Sequence, residues 1–512
     1  MRRTALLFLF CIFMPAGLLA QPAGAQTATG FDSALAASVW SSALSYIAPR
    51  ALQPVTLPQM TLWGLNGLAT LDPDLTATLQ NGELRLYGPD ALLKAVPAPA
   101  DTDATGWGNA AAQISLAAYA ASPALRQAGT AEIIANFFDE LFNHFDPYSR
   151  YESPLQAAQE QLVITGLAST GLSFAPQGGH VAIANVATES PAESAGLTPG
   201  EIVLSVDGQA VAPADAASLN NQMNGVTGSS IVLRVLDPQD DSHAVQSVTL
   251  TRAAVPPQTV TTAPGPAPGV ALIRISGFNK GTSDQFSTAL AAIMSQSPAP
   301  DALIIDLRGN RGGVLRQAVL VADSLLTSGA IVSTQGRDPD ASQTFTAEGA
   351  DLTQGARIAV LVDGRTASAA EILAAALSDN RRAVVIGSET LGKGLVQTLT
   401  ALPDGGELFV TWSRVLAPRG WPLQNMGVMP QICTSLGDDT TGQELSALAG
   451  GQNLLGPVLA AARAVRAPVN LDTILAIRNN CPADIGSDLD VTAAAAVLQS
   501  PTAYQAALLP AP

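Results

Sequence analysis

Two residues in one stretch of the chain, Ser368 and Lys393, have the types and the spacing of a nucleophile and its base. The stretch runs from Ile358 to Gln397 and reads IAVLVDGRTASAAEILAAALSDNRRAVVIGSETLGKGLVQ. Its opening apolar run predicts a buried strand, a turn follows, and apolar residues at helical spacing predict a helix that starts at Ser368. A second buried strand, AVVIG, leads into a glycine-flanked loop that holds Lys393. A serine at a helix start and a lysine in such a loop indicate a serine–lysine dyad.

A serine hydroxyl is a weak nucleophile until a base takes its proton. The histidines of the chain, His144, His180 and His243, all lie outside this stretch. A lysine can act instead when burial lowers the pKa of its amine from a reference near ~10.4 by roughly 3 units, which requires about 4 kcal/mol. The backbone N–H of Ala369, the residue after the serine, would then face the oxyanion that forms during attack on a carbonyl.

The same residues fit two other interpretations. Ser368 followed by Glu371 matches the capping box S-x-x-E, in which a serine only caps a helix. Residues 387–393, GSETLGK, match the first seven positions of the phosphate-binding loop G-x-x-x-x-G-K. Gly394 stands where that loop has the Ser or Thr that binds Mg²⁺. The nucleotide interpretation therefore lacks its metal ligand, whereas the capping interpretation stays open.

The segment DGRTASAAEILAAALSDNRRAVVIGSETLGKGLVQ resembles the active-site segment of the C-terminal processing peptidases, also called tail-specific proteases. In that family the second serine of a GSASASE-like run is the nucleophile. The lysine of a GKG loop is the base, and a glutamine four residues later orients it. The resemblance implies these roles for Ser368, Lys393 and Gln397, which stand at the family's spacing.

A second motif is implied to supply the oxyanion hole. Residues 302–313, ALIIDLRGNRGG, predict a strand and a glycine turn, and they resemble the family's LDLRGNPGG motif. The resemblance implies that the N–H of Gly312, with Gly313 beside it, joins the N–H of Ala369 at the oxyanion. Arg311 stands where the family usually has proline. Without the resemblance, the run is only a strand-to-helix turn whose glycines permit a positive φ.

Residues 190–211, SPAESAGLTPGEIVLSVDGQAV, resemble the PDZ run SPA-x-x-AGL-x-PGD. A PDZ domain captures a terminal carboxylate with backbone N–H groups of a glycine-bearing loop, and the peptide adds as a strand to the sheet edge. The resemblance places peptide binding at Gly166, Leu167, Gly171 and Leu172. This loop departs from the family's more glycine-rich version. A small β-domain without a peptide ligand is the alternative.

The start of the chain predicts export. Two arginines precede the apolar run ALLFLFCIFMPAGLLA and a run of small residues, a pattern typical of a signal peptide cleaved after Ala25 or after Ala20. The predicted location is across the inner membrane, in the bacterial periplasm. No later segment has the roughly 18 uninterrupted apolar residues of a membrane span.

The cysteines and the net charge limit which cofactors and partners the sequence predicts. In an exported protein, Cys433 and Cys481 favour a disulfide, which would stabilise the fold by about 4 kcal/mol on the chain-entropy model. Two distant cysteines without a histidine cluster do not form a zinc site, so no metal and no cofactor is expected. The 42 acidic and 25 basic residues give a net charge of −17, which argues against nucleic acid. The expected partners are unfolded or tail-bearing protein substrates.

The motifs divide the chain into a signal peptide (1–25), an N-terminal helical region (26–153), a PDZ domain (154–255), a serine peptidase core (256–432) and a C-terminal helical extension (433–512). Residues 146–154, DPYSRYESP, resemble a family segment that precedes the PDZ domain, and no catalytic role is placed on them. The implied fold class is a multidomain α/β protein with a ClpP/crotonase-like core. The implied function is an exported serine endopeptidase that captures C-termini. A catalytically inactive PDZ-bearing scaffold is the alternative.

Overall fold

The computed structural model describes residues 30–165, 168–187, 190–240 and 244–510 of the chain. The segment interpreted as a signal peptide lies outside these ranges, as do Gly166 and Leu167 of the predicted peptide-binding loop. Among the described residues, no helix combines the length and the apolarity that a bilayer crossing requires.

The N-terminal region is a mixed α/β unit around its own hydrophobic core. Its helices are α1 (Ser33–Arg50), α2 (Leu57–Leu71), α3 (Ala104–Ala121) and α4 (Pro123–Phe142). Its antiparallel sheet consists of β1 (Thr76–Gln80), β2 (Glu83–Tyr87) and β3 (Leu92–Pro97). The sequence predicted helices here but not this sheet. The reason is that each strand is only five or six residues long and buries only one or two side chains, so its apolar pattern is too short to recognise.

The segment after α4 joins the N-terminal region to the peptidase core. The short strand β4 (Arg150–Glu152) pairs antiparallel with the core strand β21 (Glu407–Leu416), and α5 (Pro154–Thr165) follows it. Leu408 and Val410 of β21 belong to the same buried cluster as Trp40 and Trp107 of the N-terminal helices. The N-terminal region therefore shares a hydrophobic core with a strand of the peptidase.

The predicted PDZ domain is a small β-domain. Its strands and helices are β5 (Ala168–Ser169), β6 (Leu172–Gln177), β7 (His180–Val186), α6 (Pro191–Ser194), β8 (Ile202–Val206), β9 (Gln209–Ala210), α7 (Ala216–Met223), β10 (Ser230–Leu236), β11 (Val245–Thr251) and β12 (Ala253–Ala254). The sheet order is β11-β10-β8-β7-β6. Strand β6 is thus an edge of this sheet, and α7 packs beside it.

The predicted peptidase core is built on a mostly parallel sheet. Its strands are β13 (Val260–Pro264), β14 (Val270–Ile275), β15 (Ala302–Asp306), β18 (Arg357–Val362), β19 (Ala383–Gly387) and β22 (Ile432–Cys433). They lie in the order β13-β14-β15-β18-β19-β22, and only the β13–β14 pair in this order is antiparallel. A second, antiparallel sheet contains β16 (Ala330–Gly336), β17 (Thr344–Thr346), β20 (Leu395–Ala401) and β21.

Helices cover both faces of the parallel sheet, which explains why its strands are continuous apolar runs. The helices within the core are α8 (Thr282–Met294), α9 (Leu315–Asp323) and α10 (Ala369–Asp379). Every residue of β15 and of β19 is buried. In open sheets of this kind, functional groups gather beyond the carboxyl ends of the strands, and the predicted catalytic turns follow β15, β18 and β19.

The C-terminal region supplies the second helical layer of the core. Its helices are α11 (Asp438–Ala449), α12 (Gly456–Ala464), α13 (Leu471–Arg478), α14 (Asp488–Gln499) and α15 (Pro501–Ala507). Val497 and Tyr504 share a buried cluster with Ile304 and Ile386 of the sheet. The predicted extension is therefore part of the core's packing, and the predicted fold class, a multidomain α/β protein, is confirmed.

Candidate active site

Ser368 lies at the turn between β18 and α10 in a backbone conformation that side-chain-bearing residues rarely adopt. Its φ is 58° and its ψ is −118°. Such a conformation costs about 1–3 kcal/mol and persists where the surrounding structure enforces it. The residues just before Ser368 are held by the Asp363 carboxylate, whose Oδ1 accepts the N–H groups of Arg365 and Thr366 at 3.0 Å and of Gly309 at 2.9 Å. The turn presents a half-buried serine at the carboxyl end of β18.

The carboxylate of Glu371 joins the nucleophile turn to the lysine loop. Its Oε2 accepts the N–H of Ser368 at 2.7 Å and the N–H of Lys393 at 2.9 Å. Its Oε1 accepts the N–H of Gly392 at 2.7 Å and the hydroxyl of Thr390. Since 2.7 Å and 2.9 Å separate the first two nitrogens from a single oxygen, these nitrogens lie within about 5.6 Å of each other. The structure therefore brings Ser368 and Lys393 onto adjacent turns.

Two opposing effects act on the pKa of the Glu371 carboxyl. Burial is the larger effect and raises this pKa above its ordinary value, and the hydrogen bonds from Thr390, Gly392, Ser368 and Lys393 offset only part of the rise. Three of these donors are backbone N–H groups, which can only donate. The charged carboxylate is the form that satisfies them all.

The amine of Lys393 lies against the ring of Tyr148, with Nζ 4.9 Å from the ring centroid. A cation over an aromatic face is attracted by about 0.5–1 kcal/mol at partly exposed sites. Tyr148 belongs to the DPYSRYESP segment, on which the sequence placed no catalytic role. Lys393 is thus held by the core through its backbone and contacted by the N-terminal region through its amine.

Gln397 on β20 belongs to a hydrogen-bond network with the same segment. Its Nε2 donates to Thr411 Oγ1 at 2.9 Å, and the Thr411 hydroxyl donates to Asp146 Oδ1 at 2.6 Å. The Ser149 hydroxyl donates to Asp146 Oδ2 at 2.7 Å and accepts the N–H of Thr411 at 3.0 Å. This network fixes the amide of Gln397, and its predicted role of orienting Lys393 stays a prediction.

The glycine turn after β15 packs directly against Ser368. A Cβ built on Gly312 would lie 2.8 Å from Ser368 Cβ and 2.9 Å from Ala369 N, so only glycine fits there. The Gly312 N–H donates to Asn310 Oδ1 at 2.8 Å. Within the described part of the chain, the N–H groups of Ala369 and Gly313 have no protein acceptor. The predicted oxyanion hole therefore stays a prediction. In this conformation the N–H of Gly312 is already bound to Asn310, so the N–H groups that could bind an oxyanion are those of Ala369 and Gly313.

The described part of the predicted peptide site in the PDZ domain contains Gly171 and Leu172. Gly171 has a φ of 83°, and a Cβ there would lie 2.1 Å from Ser190 Cβ, so the packing of the loop requires glycine. Leu172 begins β6 and is buried in the domain's core. The edge of β6 is occupied by Asn220 of α7, which accepts the N–H of Phe174 at 2.7 Å and donates to its carbonyl at 3.2 Å. Peptide contact by Gly171 and Leu172 stays a prediction.

The loop that leads to Lys393 contains a second buried carboxyl group, that of Glu389. Neither of its oxygens accepts a hydrogen bond from a described residue, and Nη1 of Arg478 lies 3.9 Å from Oε1. Burial raises the pKa of Glu389 to about 8. The carboxyl is therefore mostly protonated at neutral pH in the folded protein and ionised in the unfolded chain.

Replacing Glu389 by glutamine is expected to change how stability depends on pH. A pKa raised from 4.5 to about 8 gives a contribution that is fully present below pH 4.5 and lost as the pH rises through 8. Relative to Glu389→Gln, the wild-type free energy of unfolding should fall across this window by up to about 1.4 kcal/mol per pH unit. Urea titrations of both proteins at several pH values measure the difference. The exposed Glu348, changed to glutamine, is the control, and parallel pH profiles for wild type and Glu389→Gln would refute the assignment.

Sequence reasoning missed the roles of Tyr148, Glu371 and Thr411. The resemblance of DPYSRYESP to a family segment was a signal for Tyr148. The capping-box pattern revealed the contact of Glu371 with Ser368 but not its contact with the lysine loop. Thr411 is buried in the middle of β21 directly after the buried Val410, so the strand does not alternate there and no sequence signal marks Thr411.

Comparisons with known protein families find two domains in the chain. Residues 269–434 match the model of Peptidase family S41, and residues 183–236 match that of the PDZ domain. The first match contains the glycine turn, Ser368 and Lys393. The recognition of both domains from sequence is thereby confirmed.

Named relatives identify the enzyme class. The carboxy-terminal-processing protease of Bartonella bacilliformis is 30% identical over 59% of this chain and 69% of its own. The carboxyl-terminal-processing protease of a Synechocystis species is 34% identical over 56% of this chain and 67% of its own. A solved photosystem II D1 C-terminal processing protease is 26% identical over 74% of this chain and 95% of its own, with a TM-score of 0.35. The chain belongs to the carboxyl-terminal-processing proteases of peptidase family S41, which are serine hydrolases.

Proposed function

We propose that this protein is an exported serine endopeptidase that captures protein C-termini with its PDZ domain and cleaves with a Ser368–Lys393 dyad. The observation that carries the proposal is the donation of the Ser368 and Lys393 N–H groups to one oxygen of Glu371. This shared carboxylate holds the two residues on adjacent turns at the carboxyl end of the sheet. The types of the two side chains then supply a nucleophile and a base.

In the proposed reaction, Ser368 Oγ attacks the scissile carbonyl while the neutral Lys393 amine takes the hydroxyl proton. The N–H of Ala369 and a glycine N–H of the turn at Gly312 stabilise the oxyanion. The resulting ammonium gives its proton to the leaving amine, and an acyl-enzyme remains on Ser368. Lys393 then removes a proton from water, which attacks the ester, and the ammonium returns this proton to Ser368 Oγ as the ester C–O bond breaks and the acid is released.

Export is supported by two observations of different kind. The first 25 residues have the pattern of a signal peptide. Cys433 and Cys481 form a disulfide with Cα atoms 5.7 Å apart. Such bonds persist in oxidising compartments and are rare in the cytosol.

Peptide capture by the PDZ domain requires the free edge of β6. The side chain of Asn220 occupies this edge by bonding both backbone groups of Phe174. A peptide that adds as a strand needs these groups for its own ladder. In the proposed function, the arriving C-terminus displaces Asn220.

Replacing Asn220 by alanine is expected to tighten peptide binding. The peptide would no longer compete with two internal hydrogen bonds, each with a net stabilisation of about 1 kcal/mol, so its Kd should fall about fivefold or more. Fluorescence anisotropy of a labelled peptide with a free C-terminus measures this in the full-length Ser368→Ala background. Gln222→Ala, an exposed change on the same helix, is the control. Unchanged or weaker binding by Asn220→Ala would contradict a peptide site at β6.

The experiment that tests the function uses a disordered protein substrate with an apolar tail. Incubation with the full-length protein should shorten this substrate, and mass spectrometry should find cleaved fragments. The same substrate with an amidated C-terminus should be cleaved more slowly, because the carboxylate that the PDZ domain captures is absent. A catalytically inactive scaffold would bind the tail and leave the substrate intact, which would end the proposal.

A further inference from the structure

A segment of the C-terminal region crosses the carboxyl ends of β15, β18 and β19, next to the turns that form the candidate site. We call residues 478–490 the strap. It begins at the last residue of α13 and ends within the first turn of α14. It lies outside residues 269–434, which match the peptidase family. Nothing in the proposed mechanism uses it, yet it contacts all of the predicted catalytic turns.

The strap contacts the lysine loop through Arg478 and Asp484. Arg478 donates from Nη2 to the carbonyl of Thr390 at 2.9 Å and from Nη1 to the carbonyl of Met426 at 3.0 Å. The Ser388 hydroxyl donates to the Asp484 carbonyl and accepts the Asp484 N–H, both at 3.0 Å. These bonds hold the loop on the side that precedes Lys393.

The strap also contacts the turn before the nucleophile. The N–H of Gly364 donates to the Asp484 carbonyl at 2.7 Å. The N–H of Gly486 donates to Asp363 Oδ2 at 3.4 Å. The other oxygen of Asp363 accepts the N–H groups of Arg365 and Thr366, which precede Ser368, so the strap supports this turn through Asp363.

The contact with the glycine turn is made by Arg308. Its Nη1 donates to the Ser487 carbonyl at 2.6 Å and to Asp490 Oδ2 at 3.0 Å. Its Nη2 donates to Asp306 Oδ2 at 2.8 Å, at the end of β15. Arg308 therefore ties the start of the turn that contains Gly312 to the far end of the strap.

The strap is itself anchored to the core at two points. The disulfide of Cys481 with Cys433 joins it to the end of β22. Asp490 Oδ1 accepts the hydroxyl of Thr434 at 2.6 Å. Because the strap is fixed at two points, it can hold turns from different parts of the chain in fixed positions relative to one another.

We propose that the strap is a positioning element of the active site and that Arg478 is its positioning residue for the lysine loop. The strap sets the position of the lysine loop relative to the nucleophile turn and the glycine turn. This inference rests on the proposed Ser368–Lys393 dyad. The expected effect of the strap on the reaction rate is large, because a misplacement of about 1 Å between reacting groups lowers a rate by about 10²-fold.

The test compares Arg478→Ala with Arg466→Ala. Arg466 also lies in the C-terminal region and donates to carbonyls, those of Arg463, Val465 and Arg419, but none of them belongs to a catalytic turn. Arg478→Ala should lower kcat by about 10–100-fold and change KM by less than about twofold, because the loop moves while the PDZ domain is untouched. Added guanidinium at millimolar concentration should restore part of the lost kcat. Arg466→Ala should match the wild type in kcat.

A second readout separates the strap from the dyad. Hydrogen exchange at the backbone amides of residues 363–366 and 388–394 should be faster in Arg478→Ala, and also in the double variant Cys433→Ser/Cys481→Ser, than in wild type or Arg466→Ala. If the wild-type protein does not cleave the substrate, the proposed dyad is wrong. The proposed role of the strap in positioning the loops is then tested by hydrogen exchange alone. Unchanged exchange in both variants, or an unchanged kcat in Arg478→Ala, would overturn the inference.

Discussion

Replacing Ser368 by alanine is expected to lower kcat/KM on a tailed substrate by on the order of 10⁴-fold or more, because removal of a catalytic nucleophile leaves only binding and oxyanion stabilisation. The fold should persist. The free energy of unfolding should fall by at most about 1 kcal/mol, which is the typical effect of losing an N-cap serine. Peptide binding by the PDZ domain should not change. Single-turnover assays and urea denaturation measure the two effects separately.

A capping serine elsewhere in the chain distinguishes catalysis from capping. Ser122 begins α4, and its hydroxyl accepts the N–H of Leu125 at 3.3 Å. Ser122→Ala should lose a similar amount of stability and keep full activity. If Ser368→Ala cleaved as fast as Ser122→Ala, Ser368 would be only the capping residue that the S-x-x-E pattern left open, and the peptidase mechanism would need another nucleophile.

Replacing Glu371 by glutamine is expected to have the second largest effect. Each oxygen of this carboxylate accepts two donors. With its NH₂ group at the position of Oε1, the amide can donate to the Thr390 hydroxyl but cannot accept the N–H of Gly392, and in the other orientation it loses the N–H groups of Ser368 and Lys393. At least one buried backbone donor is left unsatisfied, which should lower the free energy of unfolding by about 1–3 kcal/mol. The catalytic turns should separate, which should lower kcat by about 10²-fold.

Glu444 provides a matched control for this substitution. It is also a buried glutamate, and its Oε2 accepts a single backbone N–H, that of Cys433, at 2.9 Å. A glutamine there can direct its oxygen to that donor and keep the bond. Glu444→Gln should therefore keep kcat. Equal kcat values for Glu371→Gln and Glu444→Gln would show that the shared carboxylate does not hold the dyad together.

Two amide side chains occupy places that a substrate needs in the proposed reaction. Asn310 accepts the N–H of Gly312, and Asn220 bonds the backbone of Phe174 at the edge of β6. Buried or half-buried backbone groups require partners, and these amides provide them. In the proposed function, a C-terminus competes with Asn220, and the oxyanion either competes with Asn310 or uses Gly313.

The local sequence determined much of the secondary structure around the candidate site. The buried strands β18 and β19, the helix that starts at Ser368 and the glycine turn at Gly312 could all be predicted, because strands, helices and turns depend on apolar spacing and on glycine within a few residues. Resemblance then supplied the family, the PDZ domain and the candidate dyad. The strands β1–β3 were missed because each is only five or six residues long and buries only one or two side chains.

Only the tertiary structure decided which distant groups support those motifs. Glu371 reaches the lysine loop, Tyr148 contacts Lys393 from the N-terminal region, and Arg478 holds the carbonyl of Thr390 from the C-terminal region. No spacing in the sequence encodes these contacts, since they arise where strand ends that are far apart in the chain meet at one edge of a sheet. The sequence thus determined which residues could react, and the packing of the terminal regions onto the core decided what holds them in place.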